Sequence, residues 1–277
     1  MQDVSRTLVK VLLREVGNCP RRLRPPVMFK YWGQGGKIPR RNAADRILSA
    51  FPTLRNLTGL EQSTIFEKHI QPYLTSDEDS SDDSILLRNV LCSVIRERNK
   101  PKDVNELNIW LSHGFEFSRA LHQVQDLMLG SSITKTNGLY VDVTSTFHPA
   151  LSAATPNNDH MFAYSLYIEN QSDKTLQILG RQWKYFSHEN PQSIEEVKQL
   201  EKGIVGHQPK LEPGEAFYYV SGTKLDSFSG EMSGYLLVRE YGNHEEEERS
   251  SCGVHVPGEK TFLADVGPFQ LLAPEPA

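Results

Sequence analysis

Gly203 and Gly206, three apart behind Lys202 and downstream of Arg181, are the groups in this chain whose spacing most suggests chemistry. Glycine carries no side chain to hold a ligand off, so backbone amides at such a loop can approach an anion, and Lys202 and Arg181 would add positive charge. The same glycines have a plainer reading as turn and close-packing positions. Pro209 and Pro213-Gly214 follow them, which forbids the helix that a dinucleotide-binding fingerprint requires. Gly33-Gln34-Gly35-Gly36-Lys37 does not make a phosphate loop, because Ile38 stands where Ser or Thr is needed.

Covalent and metal chemistry give weaker signals. The chain has no Gly-x-Ser-x-Gly, and its three cysteines, Cys19, Cys92 and Cys252, are odd in number and widely spaced without Cys-x-x-Cys. This spacing argues against a disulfide framework or a structural zinc site and favours a reducing compartment. His148, His160, His188, His207, His244 and His255 show no His-x-His or His-x-x-x-His pairing, so they read as surface or structural residues unless separate loops converge. Glu245 to Glu248 reads as a solvated hairpin tip, and Trp183 as core, with Arg181 available to an aromatic face or a ligand carboxylate. No catalytic residue, metal or cofactor is assigned.

The elements that carry these residues change character midway. Val4, Leu8, Val11, Leu12 and Val16 recur near the 3.6-residue period, with Arg6, Lys10 and Arg14 at i, i+4 and i+8, so the first helix sets an apolar face beside a basic stripe. Gly17, Asn18 and Pro20 end it. A second helix is expected from about Ile85 to Arg98 with Ser84 as N-cap. A third follows the capping-box spacing Asp103-Val104-Asn105-Glu106 and runs to about Gly130. Between the first two lie a Pro-rich basic stretch, Arg21 to Arg41, shorter helices at 43–51 and 63–70, and a polar, mobile loop from Asp77 to Asp83.

After a small polar linker at 131–138, short strands alternate with Gly and Pro-Gly turns: Tyr140 to Phe147, Phe162 to Ile168, Thr175 to Lys184, Ala216 to Val220, Tyr235 to Arg239 and Phe262 to Leu272. The expected fold is therefore α+β in two domains. An N-terminal α-helical bundle over residues 1–130 precedes an antiparallel β-sandwich over 139–277, and the latter is expected to fold alone.

The order and wording of Gly180-Arg181-Gln182-Trp183, Gly203-Ile204-Val205-Gly206-His207-Gln208-Pro209, Leu211-Glu212-Pro213-Gly214-Glu215, Ser221-Gly222 and Ser229-Gly230-Glu231-Met232-Ser233-Gly234 resemble the ApaG domain, from about Leu139 to Ala273. The resemblance implies a seven-stranded sandwich of the fibronectin type III kind. In that family the loop matching Glu201 to Gly206 usually holds three glycines at Gly-x-Gly-x-x-Gly spacing, which has invited proposals of phosphate or pyrophosphate binding. Here Glu201 replaces the first glycine, and its carboxylate would repel phosphate.

A second resemblance lies in the helical half. Leu8-Val9-Lys10-Val11-Leu12-Leu13-Arg14, and Val94-Ile95-Arg96-Glu97-Arg98-Asn99-Lys100 followed by Asp103-Val104-Asn105-Glu106-Leu107, look like the LYR-motif family. The resemblance implies a small helical bundle, usually mitochondrial, that binds acyl carrier protein. It would set that partner's acidic surface against Arg6, Lys10 and Arg14 and admit its acyl chain near Leu8 and Leu12. The motif's Tyr is Val9 here, its Arg is Lys10, and its downstream Phe corresponds to Phe51 or Phe66. An ordinary amphipathic bundle produces the same periodicity.

The formal net charge of −5 over 277 residues conceals an asymmetry: twelve Lys and Arg stand against Asp3, Glu15 and Asp45 in the first sixty residues. A basic end favours nucleic acid, anionic lipid or an acidic protein, with a solvated basic face as the plain alternative; the LYR resemblance implies the acidic protein, with no nucleic acid. No apolar run reaches the roughly 20 residues of a membrane helix. The Arg-rich, acid-poor start is compatible with a mitochondrial address, with the cytoplasm as the alternative. The functional expectation is a non-enzymatic adaptor, a helical module engaging an acidic partner and a sandwich presenting a second surface. The alternatives are a nucleotide or pyrophosphate sensor using the Gly203 to Gly206 loop, and a hydrolase with a site assembled from distant residues.

Overall fold

The computed structural model describes residues 2–24, 26–74, 82–97, 101–155, 159–192, 194–200, 202–242 and 260–274, with backbone alone at 2–5. Expectations at Asp77 to Ser81, Arg98 to Lys100, Glu201, His244, Glu245 to Glu248, Cys252 and His255 lie outside these residues. The chain forms two compact units: Met1–Pro26 with Arg41–Met128, and Val27–Arg40 with Leu129–Ala277.

The first unit is helical: α1 (Gln2–Gly17), α2 (Ala43–Ala50), α3 (Leu54–Thr58), α4 (Gln62–Ile65), a π turn at Phe66–Ile70, a 3-10 turn at Gln71–Tyr73, α5 (Asp83–Glu97) and α6 (Val104–Leu129). Asn42 and Asp45 make a capping box that starts α2, and left-handed Gly59 ends α3. The apolar stripe of α1, Leu8, Leu12 and Val16, is buried with Ile47, Phe51, Leu87, Leu91, Phe117 and Leu121. Gly114 of α6 faces Leu8 of α1, whose Cδ2 would have to move to admit a Cβ there.

Helix α5 begins differently from the expectation. Asp82, not Ser84, is its cap: Asp82 Oδ1 accepts from Ser84 N at 2.9 Å and from Ser84 Oγ at 2.5 Å. Asp83 then points inward, fully buried, where its carboxylate takes both Arg46 Nε at 2.7 Å and Nη2 at 2.8 Å, and Leu23 N at 2.7 Å. A buried, bidentate pair of this kind fixes geometry more than it adds net stability.

The second unit contains β1 (Gly35–Ile38), β2 (Ser131–Thr136), β3 (Leu139–Phe147), a short α7 (Pro149–Ser152), β4 (His160–Asn170), β5 (Thr175–Ser187), β6 (Glu195–Gln199), β7 (Lys210–Leu211), β8 (Ala216–Leu225), β9 (Ser229–Tyr241) and β10 (Lys260–Leu272). The sheets run β1-β8-β4-β3-β2 and β10-β9-β5-β6, antiparallel throughout, with β7 beside β5. Alternation sends Val141, Val143, Phe162, Tyr164, Leu166 and Ile168 of one sheet against Ile178, Trp183, Leu236, Val238, Val266 and Phe269 of the other. Trp183 is 2% exposed, with the Tyr164 ring 5.6 Å away edge-on.

Two boundaries expected from the sequence are corrected. Residues 131–138 are no linker: Ser131–Thr136 is an edge strand, and Asn137 (φ 49°) with Gly138 (φ 81°) forms the two-residue hairpin turn into β3. Asp265 N donates to Thr136 Oγ1 at 3.2 Å and Ser145 Oγ to the Gln270 carbonyl at 2.6 Å, tying the β2 side of one sheet to β10 of the other. The Pro-rich stretch is not wholly an insertion in the helical half either, because Val27–Arg40 joins the sandwich, where β1 extends the first sheet at β8.

Candidate functional site

On α1 the structure separates the expected partner-binding residues into two groups. Arg6, Lys10 and Arg14 are exposed, while Leu8 and Leu12 are 6% and 0% exposed and belong to the bundle core. Helical geometry makes this unavoidable, since residues two apart lie about 200° around the axis, on opposite sides of the helix. Leu8 and Leu12 therefore hold the helix in place as part of the packed core. Arg14 is engaged by Glu15, with Nη2 3.0 Å and Nε 3.2 Å from Oε1, which leaves Arg6 and Lys10 as the stripe's stronger outward charges. Phe51 is fully buried against Phe117 at 5.3 Å, and Phe66 is half-buried beside the same core.

Arg181, Lys202, Gly203 and Gly206 do come together around one loop, in which Gly203 is buried and bonded to Arg181 while Lys202 and Gly206 are exposed. Arg181 Nη1 donates to the Gly203 carbonyl at 3.0 Å. Gly203 N donates to the Leu179 carbonyl at 2.8 Å, and Ile204 and His207 exchange both backbone hydrogen bonds at 2.8 and 2.9 Å. Val205 (φ 44°) and Gly206 (φ 81°) make the two-residue turn between them. An anion cradle needs amides aimed at a common empty point. Here those of residues 203, 204 and 207 already reach protein carbonyls. Gly203 serves both its left-handed backbone (φ 69°) and close packing, for a Cβ there would collide with the His207 carbonyl; Gly206 serves the turn alone.

A histidine constellation without any sequence motif lies in the helical unit. His69, 2% exposed in the π turn, sets Nδ1 3.0 Å from Ser93 Oγ and Nε2 3.9 Å from Glu97 Oε2, while Lys68 Nζ is 2.5 Å from the same carboxylate oxygen. Burial lowers the imidazole pKa, the Glu97 charge opposes that and Lys68 adds to it. Nucleophile, base and carboxylate stand in triad order, yet Glu97 is beyond hydrogen-bond reach and held by Lys68, so the base is not oriented for catalysis. His69 sits in the π turn Phe66–Ile70, a winding that residue spacing does not announce.

At one edge of the sandwich a cleft of about 160 Å³ is lined by Asp159, Tyr185, Ser187, Glu195, Lys224 and Asp226, among others. Its charged groups mostly satisfy one another. Lys224 Nζ is 3.0 Å from Asp159 Oδ2, and Tyr185 donates to Glu195 Oε2 at 2.5 Å. Burial first, then that hydrogen bond, pushes the Tyr185 hydroxyl up to about 12. Among the described residues no three His, Cys, Asp or Glu side chains gather as a metal site.

The surface that sequence reasoning missed is the one covered by Val27–Arg40. This strap crosses the outer face of the first sheet: Val27, Met28, Tyr31 and Ile38 pack on Tyr140, Ala163, Tyr167, Ala216, Tyr218 and Val220. Met28 N donates to the Tyr218 hydroxyl at 3.0 Å, Tyr31 meets the Tyr218 ring edge-on at 5.2 Å, and Gly33 N donates to the Val220 carbonyl at 3.0 Å. Gly35–Ile38 then pairs antiparallel with Ala216–Tyr219. Arg40 Nε ends the strap 2.7 Å from Glu169 Oε1, a carboxylate 1% exposed that also accepts from Tyr167 and Gln171. The outward alternation Tyr140, Tyr167, Tyr218 was legible as a signal, because a sandwich with aromatic residues on its outer face needs a cover.

The ApaG domain profile matches residues 151–240. Protein ApaG of Beijerinckia indica subsp. indica is 41% identical over 111 residues, which is 40% of this chain and 82% of the relative. Protein ApaG of Methylobacillus flagellatus is 34% identical over 135 residues, 48% of this chain and 89% of the relative. Among solved structures, the putative ApaA protein from Bordetella pertussis is 29% identical, covers 50% of this chain and 95% of its own, and superposes with a TM-score of 0.39.

Proposed function

This chain belongs to the ApaG family through its sandwich half, and we propose that it is a non-enzymatic adaptor whose helical half engages an acidic protein while the sandwich presents a second binding surface. The observation that carries the reading is the exposed basic row of α1, Arg6 and Lys10 one turn apart with Arg14 beyond, set on a helix whose apolar side is fixed in the core. Charges held on a rigid helix steer an acidic partner without rearrangement. The resemblance of Leu8 to Arg14 to the LYR motif supplies the candidate, acyl carrier protein, and with it a mitochondrial setting. With Leu8 and Leu12 buried, the first contact in this reading is electrostatic along the helix surface, and acyl-chain entry between helices near those residues would follow it. Pairing of the cleft groups Tyr185 with Glu195 and Lys224 with Asp159 supports a binding role over catalysis.

Affinity purification of the tagged full chain from cells, followed by intact-mass measurement of co-purifying small proteins, tests the reading. The expected result is an acidic protein carrying a phosphopantetheine arm. Recovery of the chain with no such protein, under low-salt washing that preserves charge-steered complexes, counts against it.

A further inference from the structure

We propose that the free edge of β8 and the outer tyrosine face beside it form a docking site for an extended peptide, which this chain fills with its own strap. The proposal deepens the adaptor reading by naming the sandwich's binding surface. Its chemistry is visible in the occupant. Main-chain pairing of Gly35–Ile38 with Ala216–Tyr219 gives an affinity that any strand would obtain, as in strand addition to a sheet edge. Three side chains give specificity: Tyr31 against Tyr218, Trp32 over Gly222, and Arg40 on the buried carboxylate of Glu169.

A fourth requirement is negative. The strand must carry glycine at the position paired with Tyr219, because a Cβ at Gly35 would collide with the Phe217 ring. The site thus fits an extended partner segment with an aromatic pair, a glycine three residues on and an arginine five beyond that, and poorly fits a generic strand. The connectivity also separates the strap from the sheet it joins. Residues 41–128, the larger segment of the other unit, intervene between β1 and the next strand, and β1 lies at the end of the sheet order, where removing it breaks no other strand pairing. An unpaired β8 edge beside exposed tyrosines would invite association, which gives the chain a reason to keep the site covered.

Full-length chain and a fluorescent synthetic peptide of Val27–Arg40 test this. In the native chain the tethered strap has an effective concentration on the order of millimolar, so micromolar peptide should not bind. The Gly35→Val chain should lose exchange protection at the amides of 216–220 and bind the native peptide at least ten-fold more tightly than the native chain does. Peptides carrying Gly35→Val or Arg40→Glu should bind at least ten-fold more weakly. If exchange shows the strap still seated in Gly35→Val, a Tyr31→Ala/Arg40→Glu chain provides the same reading. A folded, strap-open chain that ignores the peptide overturns the proposal, and so does loss of the sandwich's strand signal on opening, which would make β1 an integral strand. No helical partner is present in the assay, so failure of the acyl carrier protein interaction would leave this result unaffected.

Discussion

Gly203 and Gly206 show how two residues of one type, three apart, differ in what they do. Both have positive φ, which a side chain resists by about 1 to 2 kcal/mol. At Gly203 a Cβ also meets the His207 carbonyl, while at Gly206 nothing lies within 4 Å. Gly203→Ala is therefore expected to destabilise the sandwich by about 3 kcal/mol, adding overpacking to strain, and Gly206→Ala by about 1. Urea melts of the two variants check the order, and equal losses would show that the loop relaxes around Gly203. His69 gives a pH-dependent counterpart. Its pKa is lowered in the fold from the ordinary 6.5, chiefly by burial, so below that value the unfolded chain binds the proton more readily. Stability is then full above about pH 6.5, falls as pH drops through that value, and levels off below the folded pKa. His69→Gln should flatten that limb in melts of the helical half, and an unchanged slope would assign it to other groups.

Elements were legible where period and burial agree. The α1 stripe, the strands of the ApaG-like half and core Trp183 follow from alternation that the packing uses directly. β2 was not legible as a strand, because Ser131-Ser132-Ile133-Thr134-Lys135-Thr136 is a polar edge strand with one large apolar residue, even though Asn137-Gly138 spells a hairpin. β1 was less so, for Gly-Gly-Lys-Ile followed by proline has no strand propensity of its own and is held by its neighbour β8. Leu8 and Leu12 were placed on the apolar face of the helix, and that face is the one the core buries. The functional claim at this scale rests on charge. Arg6→Glu/Lys10→Glu should slow association with acyl carrier protein ten-fold or more at low salt and much less at high salt, with dissociation little changed. Surface plasmon resonance at two ionic strengths reads this, with circular dichroism verifying the helices. An association rate equal to the parent's makes the row a solvated face.

At the scale of the molecule, the simple order of a helical half, a linker and a sandwich gives way to a chain that passes between its units three times, after Pro26, Arg40 and Met128. That residues 139–277 fold alone is a proposal about a fragment that lacks both edge elements of the first sheet, β1 and β2. Loss of β2 removes the six-residue ladder on β3 and the Asp265 to Thr136 hydrogen bond, and uncovers Ser145 with its partner at Gln270. Loss of the strap has a different consequence: it leaves the sheet intact but opens the β8 edge and removes Arg40 from Glu169. A fragment of residues 129–277 is therefore expected to fold with a strand spectrum and to self-associate through that edge, and strap peptide should return it to the monomer. A fragment of 139–277 should melt at lower temperature than 129–277 with or without the peptide, since nothing supplied in trans replaces β2. Analytical ultracentrifugation separates the two effects from a melt alone. Were 129–277 monomeric without peptide, the β8 edge would be protected by its own twist and side chains, and the strap would be acting on the tyrosine face only.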